Sequence, residues 1–562
     1  MKFSQFPYQR PDMEEIKKNI LPVIEKFLDY SLEKQIKSLK EVNRITDEIN
    51  SMATLASIRN NVNTKDPFYQ AEQAFWDHNG PLLSEWQFDL SQKMVQSKHY
   101  EGLVKEFGEL LLQKTHLFLK TFDAKIIPFL QKENALTTEY KKLIADPSVN
   151  FRGEKYNLSQ MVTFLSVLDR DTRKEAQLAI SAFFEKNEKE YDRIYDNLVQ
   201  VRNEMAHLLG YKNFVQLGYD RLGRVDYNID QVASYRENIL TNILPFYHKN
   251  LTKKSRRIGI YKLQSYDAKF NFLSGNPTPK GGVDFQVEQA KKMYSEMSEE
   301  TNHLFNLLVD KELLELESKP NKVGGGYCTY LPKFQSPFVF ANFNGTSDDV
   351  DVLTHEMGHA FQVYQSRHLI PEYRFPTLEA AEIHSMGMEF LAWPWMHHFF
   401  KKDSEKYKFS HLSESLNFLL YGALVDHFQY EVYQKPEMTP EERKKVWHEL
   451  EQKYLPLQNF EEDKFLQKGV YWYRQGHIFS SPFYYIDYTL AQVSALEIWA
   501  LSQENYPQTW QLYLSLCQKG GSESFVNLLK HSGLNNPFEK DTLKNIALKV
   551  DQYLDQINDG NF

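Results

Sequence analysis

The sequence predicts a mainly α-helical protein with one small β-sheet. Apolar and charged residues alternate at helical spacing, with few glycines or prolines, over residues 13–138. The main β-branched and aromatic runs lie in a single stretch between residues 326 and 343. At 562 residues, with 42% hydrophobic and 25% charged residues, the chain can bury a large core. Its length suggests two to four domain-sized units.

The first 211 residues contain signals for helices and one hairpin. Residues 13–138 predict several long antiparallel helices. A hairpin is predicted over residues 150–157, with Gly153 at its turn, followed by a helical stretch from Leu158 to about Phe184. Residues 202–211 end in Leu-Gly-Tyr, which predicts a helix that stops at a glycine.

The middle of the chain contains a loop and then the β signal. The proline and glycine cluster at residues 276–282 predicts a surface loop. Residues 326–330 and 338–343 are strand-like runs that can pair as a small sheet. Further along, Thr439-Pro440-Glu441-Glu442 predicts a capping box at a helix start.

The predicted sheet offers a site for an extended peptide. An exposed strand edge holds a peptide by backbone hydrogen bonds and does not demand particular side chains. The glycines at 324–326 allow close backbone approach. A structural hairpin that braces the next helix is an equally good interpretation, and the two are compatible. The candidate substrate-binding residues here are Gly325, Gly326, Tyr327, Phe340 and Ala341.

The string His355-Glu356-Met357-Gly358-His359 is the most informative motif. A hydroxyl residue and two acids at residues 346–349 predict that a helix starts just before it. Residues four apart on a helix share one face, so both imidazoles can bind one zinc ion. Glu356 can then act as general base towards a water that the ion activates. The alternative is a core helix whose histidines make ordinary hydrogen bonds.

A zinc site of this kind needs a third protein ligand and an open fourth position. The predicted helix at residues 377–391 contains Glu379, Glu382 and Glu389 near one face, and spacing alone does not choose among them. We interpret His384, which points away from Glu382, as a hydrogen-bonding residue. Asp351 and Glu389 are candidates for orienting the histidines from behind.

Two segments resemble one peptidase family. Residues 353–360 (LTHEMGHA) and 382–389 (EIHSMGME) resemble the oligoendopeptidase F and Pz-peptidase branch of the thimet oligopeptidase family of zinc metallopeptidases. Residues 256–263, 481–488 and 520–522 resemble further landmarks, so the resemblance covers essentially the whole chain. It implies one zinc ion per chain, with Glu382 as the third ligand beside His355 and His359.

The resemblance also implies an architecture and further site residues. It implies a large helical shell around a deep substrate channel, with an N-terminal helical domain (1–195) and a catalytic domain (196–562). In related enzymes a histidine and tyrosines face the zinc ion across the channel. The residues carried over are His477, Tyr485 and Tyr488 as catalytic groups, with Tyr484 as a substrate-binding group. Ser481 departs from the thimet pattern, where a tyrosine is expected.

The resulting functional expectation is a zinc endopeptidase that hydrolyses internal bonds of short oligopeptides. The family resemblance implies the limit to short chains, because the shell restricts access. An exopeptidase, such as a carboxypeptidase or dipeptidase, with the same zinc chemistry is the first alternative. A noncatalytic peptide-binding protein that retains the helix is the second.

Composition excludes several other classes. The net charge of −9 argues against nucleic acid as a partner, and the basic residues 253–257 fit a solvated helix face or domain junction. Two cysteines exclude a disulfide framework. Residues 1–8 contain no apolar signal region, and the sequence contains no run of about 18 apolar residues. We therefore expect a cytoplasmic protein without a membrane span. The sequence does not indicate an oligomeric state.

Overall fold

The computed structural model describes residues 1–145 and 149–562 and confirms the mainly helical fold with small sheets. The helices before the main sheet are α1 (Met13–Lys26), α2 (Leu32–Val62), α3 (Pro67–Gln96), α4 (Tyr100–Phe107), α5 (Glu109–Thr121), α6 (Ile127–Ile144), α7 (Leu158–Leu165), α8 (Arg170–Lys186), α9 (Glu188–Leu208), α10 (Phe214–Arg221), α11 (Ile229–Arg257), α12 (Val283–Met297) and α13 (Glu299–Asp310).

The remaining elements are five strands and the helices that follow the main sheet. The strands are β1 (Val149–Phe151), β2 (Glu154–Tyr156), β3 (Leu314–Glu317), β4 (Tyr327–Leu331) and β5 (Ser336–Phe343). The helices are α14 (Asp348–Ser366), α15 (Pro371–Arg374), α16 (Leu378–Leu391), α17 (Met396–Phe400), α18 (Ser404–Gln434), α19 (Pro440–Tyr454), α20 (Gly476–Ser480), α21 (Tyr485–Glu504), α22 (Tyr506–Lys519), α23 (Phe525–Ser532) and α24 (Thr542–Asp555).

Local signals in the sequence account for several of these elements. The hairpin of β1 and β2 is confirmed, and its turn is left-handed at Gly153, with φ of +89°. Thr439 caps α19 with the predicted capping box. The helical stretch predicted from Leu158 to Phe184 is instead two helices, because Asp169 caps a new helix, α8, with its carboxylate.

The hydrophobic interior forms two clusters. Residues from α1 to α5 enclose a smaller core that includes Phe27, Leu103 and Leu112. A larger core extends from α6 to the C-terminal helices. The predicted domain boundary near residue 195 falls inside the continuous helix α9, and the division into two domains stays a prediction.

The main sheet has three strands in the order β3-β5-β4. β5 is central, pairing in parallel with β3 and antiparallel with β4. β3 has no counterpart among the predicted strands. The sheet packs against α14, and α16 packs against both α14 and α21. These contacts bring α21 next to α16, although α21 begins only at Tyr485.

The basic segment near residue 253 holds the end of the chain in place. Lys249 and Lys253 form ion pairs with Asp555, and Arg257 pairs with Asp559. These cations therefore neutralise carboxylates at and beyond the end of α24, as expected of a junction between helices. Separately, within residues 1–145 and 149–562, no helix combines the length and the apolar character needed to cross a membrane.

Candidate active site

Three predicted ligands converge where α14 faces α16. His355 and His359 lie one turn apart on α14, and Glu382 projects towards them from α16. The ligand atoms of the three residues lie within 4.8 Å of one another. The Nε2 atoms of His355 and His359 are 3.1 and 3.2 Å from the same Oε2 of Glu382. Two imidazole nitrogens and one carboxylate suit zinc and leave a fourth position open.

The electrostatics of this cluster favour a bound cation. Burial by itself would raise the pKa of Glu382, but the two histidines outweigh it and hold that pKa well below its ordinary value. Burial opposes charge on His355 as well, yet its bonds to Glu382 and Glu389 raise its pKa well above the ordinary value. The buried carboxylates thus stabilise positive charge between the side chains.

The two ligand helices can approach this closely because Gly358 lies at their crossing. A Cβ atom at Gly358 would lie 2.5 Å from the carbonyl oxygen of His384 and 2.6 Å from the Cα of Ser385. Both of these atoms belong to the backbone of α16. Neither helix can therefore make room by changing a side-chain rotamer.

Gly358→Ala should destabilise the protein by about 1–3 kcal/mol, the usual cost of overpacking a core. It should also weaken metal binding, because it moves His355 and His359 away from Glu382. Urea unfolding and a metal titration measure the two effects. Gly80→Ala is the control, since Gly80 lies within α3 with nothing inside 4 Å of its added Cβ. Wild-type metal affinity in Gly358→Ala would contradict this account of the crossing.

A chain of hydrogen bonds behind His355 orients its ring. Trp393 Nε1 donates to His411 Nδ1 at 3.0 Å, and this leaves the Nε2–H of His411 to donate to Glu389 Oε2 at 2.8 Å. The other oxygen of Glu389 accepts from His355 Nδ1 at 2.7 Å. This arrangement places a proton of His355 on Nδ1, towards Glu389, and makes Nε2 the atom that can bind a metal. The role of His411 was not foreseen from the sequence.

The other residues considered as ligands or as partners of the ligands are not part of this metal cluster. Glu379 is buried one turn before Glu382. Burial, together with the negative charge of Asp487, raises the pKa of Glu379. His384 donates from Nδ1 to the Ala380 carbonyl at 2.7 Å, as its hydrogen-bonding interpretation predicts. Asp351 accepts from the hydroxyl of Tyr407 and does not contact His355 Nδ1, which Glu389 binds.

The side chain of Glu356, on the ligand helix α14, lies beside the edge of the sheet. A Cβ atom at Gly326 would be 3.0 Å from Glu356 Oε1, so glycine lets β4 approach this carboxylate. Gly325, with φ of +87°, forms the turn into β4. The ring of Tyr327 stacks on Phe340, and its hydroxyl accepts from Asn61 Nδ2 at 3.1 Å. Burial raises the pKa of Glu356 to about 6, against the opposing effect of the histidines.

Two of the predicted substrate contacts are corrected by the order of the strands. Phe340 and Ala341 lie in the central strand β5, and both side chains are completely buried. The carbonyl of Ala341 already accepts from Lys322 Nζ at 2.6 Å. Phe340 is paired on both sides, with Glu315 of β3 and Tyr327 of β4, and neither residue exposes a side chain to a peptide. β3 and β4 are the outer strands of this sheet, and β4, with Tyr327 at its start, is the outer strand beside Glu356.

The segment from residue 477 to 488 faces the metal cluster from the other side. Gln475 donates to His477 Nδ1 at 2.8 Å, and His477 Nε2 then donates to the hydroxyl oxygen of Tyr488 at 3.1 Å. Burial lowers the pKa of His477 to about 4, so its ring is neutral near pH 7. The ring of Tyr488 stacks on Tyr484 at 4.9 Å, and the Tyr484 hydroxyl donates to Glu382 Oε1.

The predicted catalytic role of Tyr485 stays a prediction. Its ring contacts His477 and Tyr488, with centroids 5.1 and 5.4 Å away, and also Phe418 and Tyr421, each 5.8 Å away. Tyr484, its neighbour in the chain, is the residue whose hydroxyl donates to Glu382.

Comparison with known proteins identifies relatives of the whole chain. Residues 3–122 match the peptidase M3 N-terminal domain, and residues 163–548 match peptidase family M3. The chain is 21% identical to oligopeptidase PepF of Bacillus subtilis, over 92% of this chain and 80% of that protein. It is 20% identical to an oligoendopeptidase F homolog of Lactococcus lactis, over 87% and 84% of the two chains. The solved structure of PZ peptidase A with inhibitor 2 has a TM-score of 0.99 and 45% identity, with both chains fully covered.

Proposed function

The chain belongs to peptidase family M3, in the oligoendopeptidase F and Pz-peptidase branch, and we propose that this peptidase is a zinc-dependent endopeptidase acting on short oligopeptides. The observation that supports the zinc-dependent mechanism is the convergence of His355, His359 and Glu382 beside the buried carboxyl group of Glu356. A bound zinc ion would supply Lewis-acid chemistry, polarising a carbonyl and making water nucleophilic near neutral pH.

The chain's own residues carry the proton transfers. Glu356 accepts the proton of the attacking water and delivers it to the leaving amine, as a buried carboxylate with a raised pKa is suited to do. Glu389 accepts from Nδ1 of His355 and orients the ring, so Nε2 is the atom that faces the metal position. Tyr484 donates to Glu382 and holds that carboxylate in place.

Donors from residues 477–488 stabilise the developing oxyanion in this proposal. His477 donates to the oxygen of Tyr488, so the hydroxyl hydrogen of Tyr488 is not used in that bond, and in this proposal it donates to a substrate oxygen. Such a donor commonly lowers the barrier by about 3–4 kcal/mol. We assign the oxyanion role to Tyr488, with Tyr485 as a second candidate, and supporting roles to His477, which orients the Tyr488 hydroxyl, and to Tyr484.

The free edge of β4 orients the substrate. An extended peptide that pairs with β4 beside Gly326 would lie close to Glu356, because Gly326 and this carboxylate are in contact. Backbone pairing holds interior segments of a peptide as well as its ends. This geometry therefore needs no free chain end, which is compatible with the proposed cleavage within a peptide.

An internally quenched peptide of about ten residues, acetylated and amidated at its ends, should be cleaved at an internal bond. Mass spectrometry of the products locates the bond, and metal analysis of the same preparation should find one zinc ion per chain. The matched control is the same peptide with free ends. Cleavage of the free peptide alone would establish an exopeptidase and refute the proposed endopeptidase.

A further inference from the structure

The turn that leads into α21 contains an unusual backbone conformation. Phe483 has φ of +66°, although it is neither glycine nor asparagine. A bulky residue rarely adopts the left-handed region, and it does so only where the surrounding structure imposes it. Tyr484, the next residue, is the one whose hydroxyl meets Glu382. The unfavourable conformation thus immediately precedes a residue of the candidate active site.

Both backbone groups of Phe483 are held by buried side chains. Its N–H donates to Gln429 Oε1 at 3.1 Å, and its carbonyl accepts from Arg224 Nη2 at 2.7 Å. The same Nη2 atom donates to Asp487 Oδ1 at 2.6 Å, which ties the turn to the first turn of α21. The side chain of Arg224 is only 1% exposed, and that of Asp487 is completely buried. A guanidinium group placed in this way fixes two points of the chain at once.

The ring of Phe483 fits against a glycine of α10. A Cβ atom at Gly218 would lie 2.6 Å from Phe483 Cδ2, so any larger residue would push the ring out. The rings of Phe214 and Tyr433 lie next to it, with centroids 6.3 and 5.5 Å away. Packing of the ring and the two hydrogen bonds therefore act on the same residue.

We propose that Arg224 is a positioning residue for catalysis: it holds Phe483 in its left-handed conformation, which directs the Tyr484 hydroxyl to Glu382 and Tyr488 to His477. This inference rests on the proposed function, in which these groups surround the metal and the substrate. If Phe483 relaxed to a negative φ, the start of α21 would turn. Tyr484 and Tyr488 lie four residues apart on one face and would move together.

Arg224→Met tests the proposal, since it retains the length of the side chain and removes the donors. We expect kcat to fall by about 10–100-fold with KM changed by less than about threefold, the pattern of a misplaced catalytic group. Metal content should stay at one ion per chain, because His355, His359 and Glu382 are unchanged. Arg443→Met is the control: Arg443 is as deeply buried and pairs with Asp196, on α9 and distant in the sequence from the Tyr484 turn.

A double-mutant cycle separates positioning from a general effect on stability. In a background that carries both Tyr484→Phe and Tyr488→Phe, Arg224→Met should lower kcat by no more than about threefold, because both groups that it positions are already absent. Gly218→Ala offers a second route if Arg224→Met fails to fold, and it should show the same dependence on Tyr484 and Tyr488. Equal fold-losses in both backgrounds would refute positioning.

One variant with both tyrosines replaced distinguishes failure of this inference from failure of the proposed function. If Tyr484→Phe and Tyr488→Phe together leave kcat unchanged, Arg224 has no catalytic group to position there and the inference is refuted. The zinc peptidase mechanism would still stand, since it depends on Glu356 and the three ligands. Conversely, full activity in a Glu356→Gln variant would refute that mechanism whatever the cycle shows.

Discussion

Glu356→Gln should lower kcat for peptide hydrolysis by about 10²–10⁴-fold, the contribution usual for a general base. Glutamine preserves the size of the side chain but cannot accept a proton at neutral pH. Only 5% of the Glu356 residue surface is exposed, and Oε2 is buried without a hydrogen-bond partner among the described residues. One carboxylate oxygen is thus uncommitted, as a group that takes a proton from substrate water requires.

Metal analysis of the Glu356→Gln variant should still find one zinc ion per chain, because Glu356 is not in the ligand cluster. Glu451→Gln is the matched control: Glu451 is also buried, and it accepts from Trp447 Nε1 in α19, away from the site. This control should keep wild-type kcat. Equal activity in wild type and Glu356→Gln would refute the mechanism.

The sequence predicts best those features that depend on local spacing. His355 and His359 share a helix face because they are four residues apart, and the structure places them accordingly. The capping box at Thr439 and the turn at Gly153 are also local, and both were correct. Glu382 needed more than spacing, since Glu379 and Glu389 lie near it on the same helix, and only the family resemblance favoured it.

Features that depend on how separate segments meet were not predictable in this way. A strand-like run does not reveal whether it is central or at an edge, so the sequence predicts Phe340 at a peptide-binding edge although β5 is enclosed by β3 and β4. Tyr484 and Tyr485 are adjacent and chemically identical. Tyr484, which follows the left-handed Phe483, is the one whose hydroxyl meets Glu382, and no sequence pattern predicts this conformation at a phenylalanine.

Partners from distant parts of the chain carry no local signal. His411 reaches Glu389 from α18, and Arg224 reaches Phe483 from the loop after α10. In the sequence these look like an ordinary helical histidine and an ordinary arginine. Both are recognised only from burial combined with hydrogen bonds that end at residues of the site.

Glu382→Gln should abolish stoichiometric zinc binding and, with it, peptide hydrolysis. The carboxamide is neutral, so the variant loses the anion that both histidines face at 3.1 and 3.2 Å. It also loses the charged oxygen Glu382 Oε2, which in the wild type accepts from Ser385 Oγ at 2.6 Å. The fall in zinc affinity should exceed the roughly 10–100-fold that removal of an outer hydrogen-bond partner costs. A competitive chelator titration measures it.

Glu379→Gln makes this test specific, because it is the same substitution one turn away on α16. Burial and the nearby Asp487 raise the pKa of Glu379, which favours its neutral form, and glutamine imitates that form closely. Zinc affinity should therefore remain that of the wild type. If Glu379→Gln loses zinc and Glu382→Gln retains it, the third ligand is misassigned. If both retain zinc, the ion is held without a carboxylate from this turn of α16, and the proposed site is wrong.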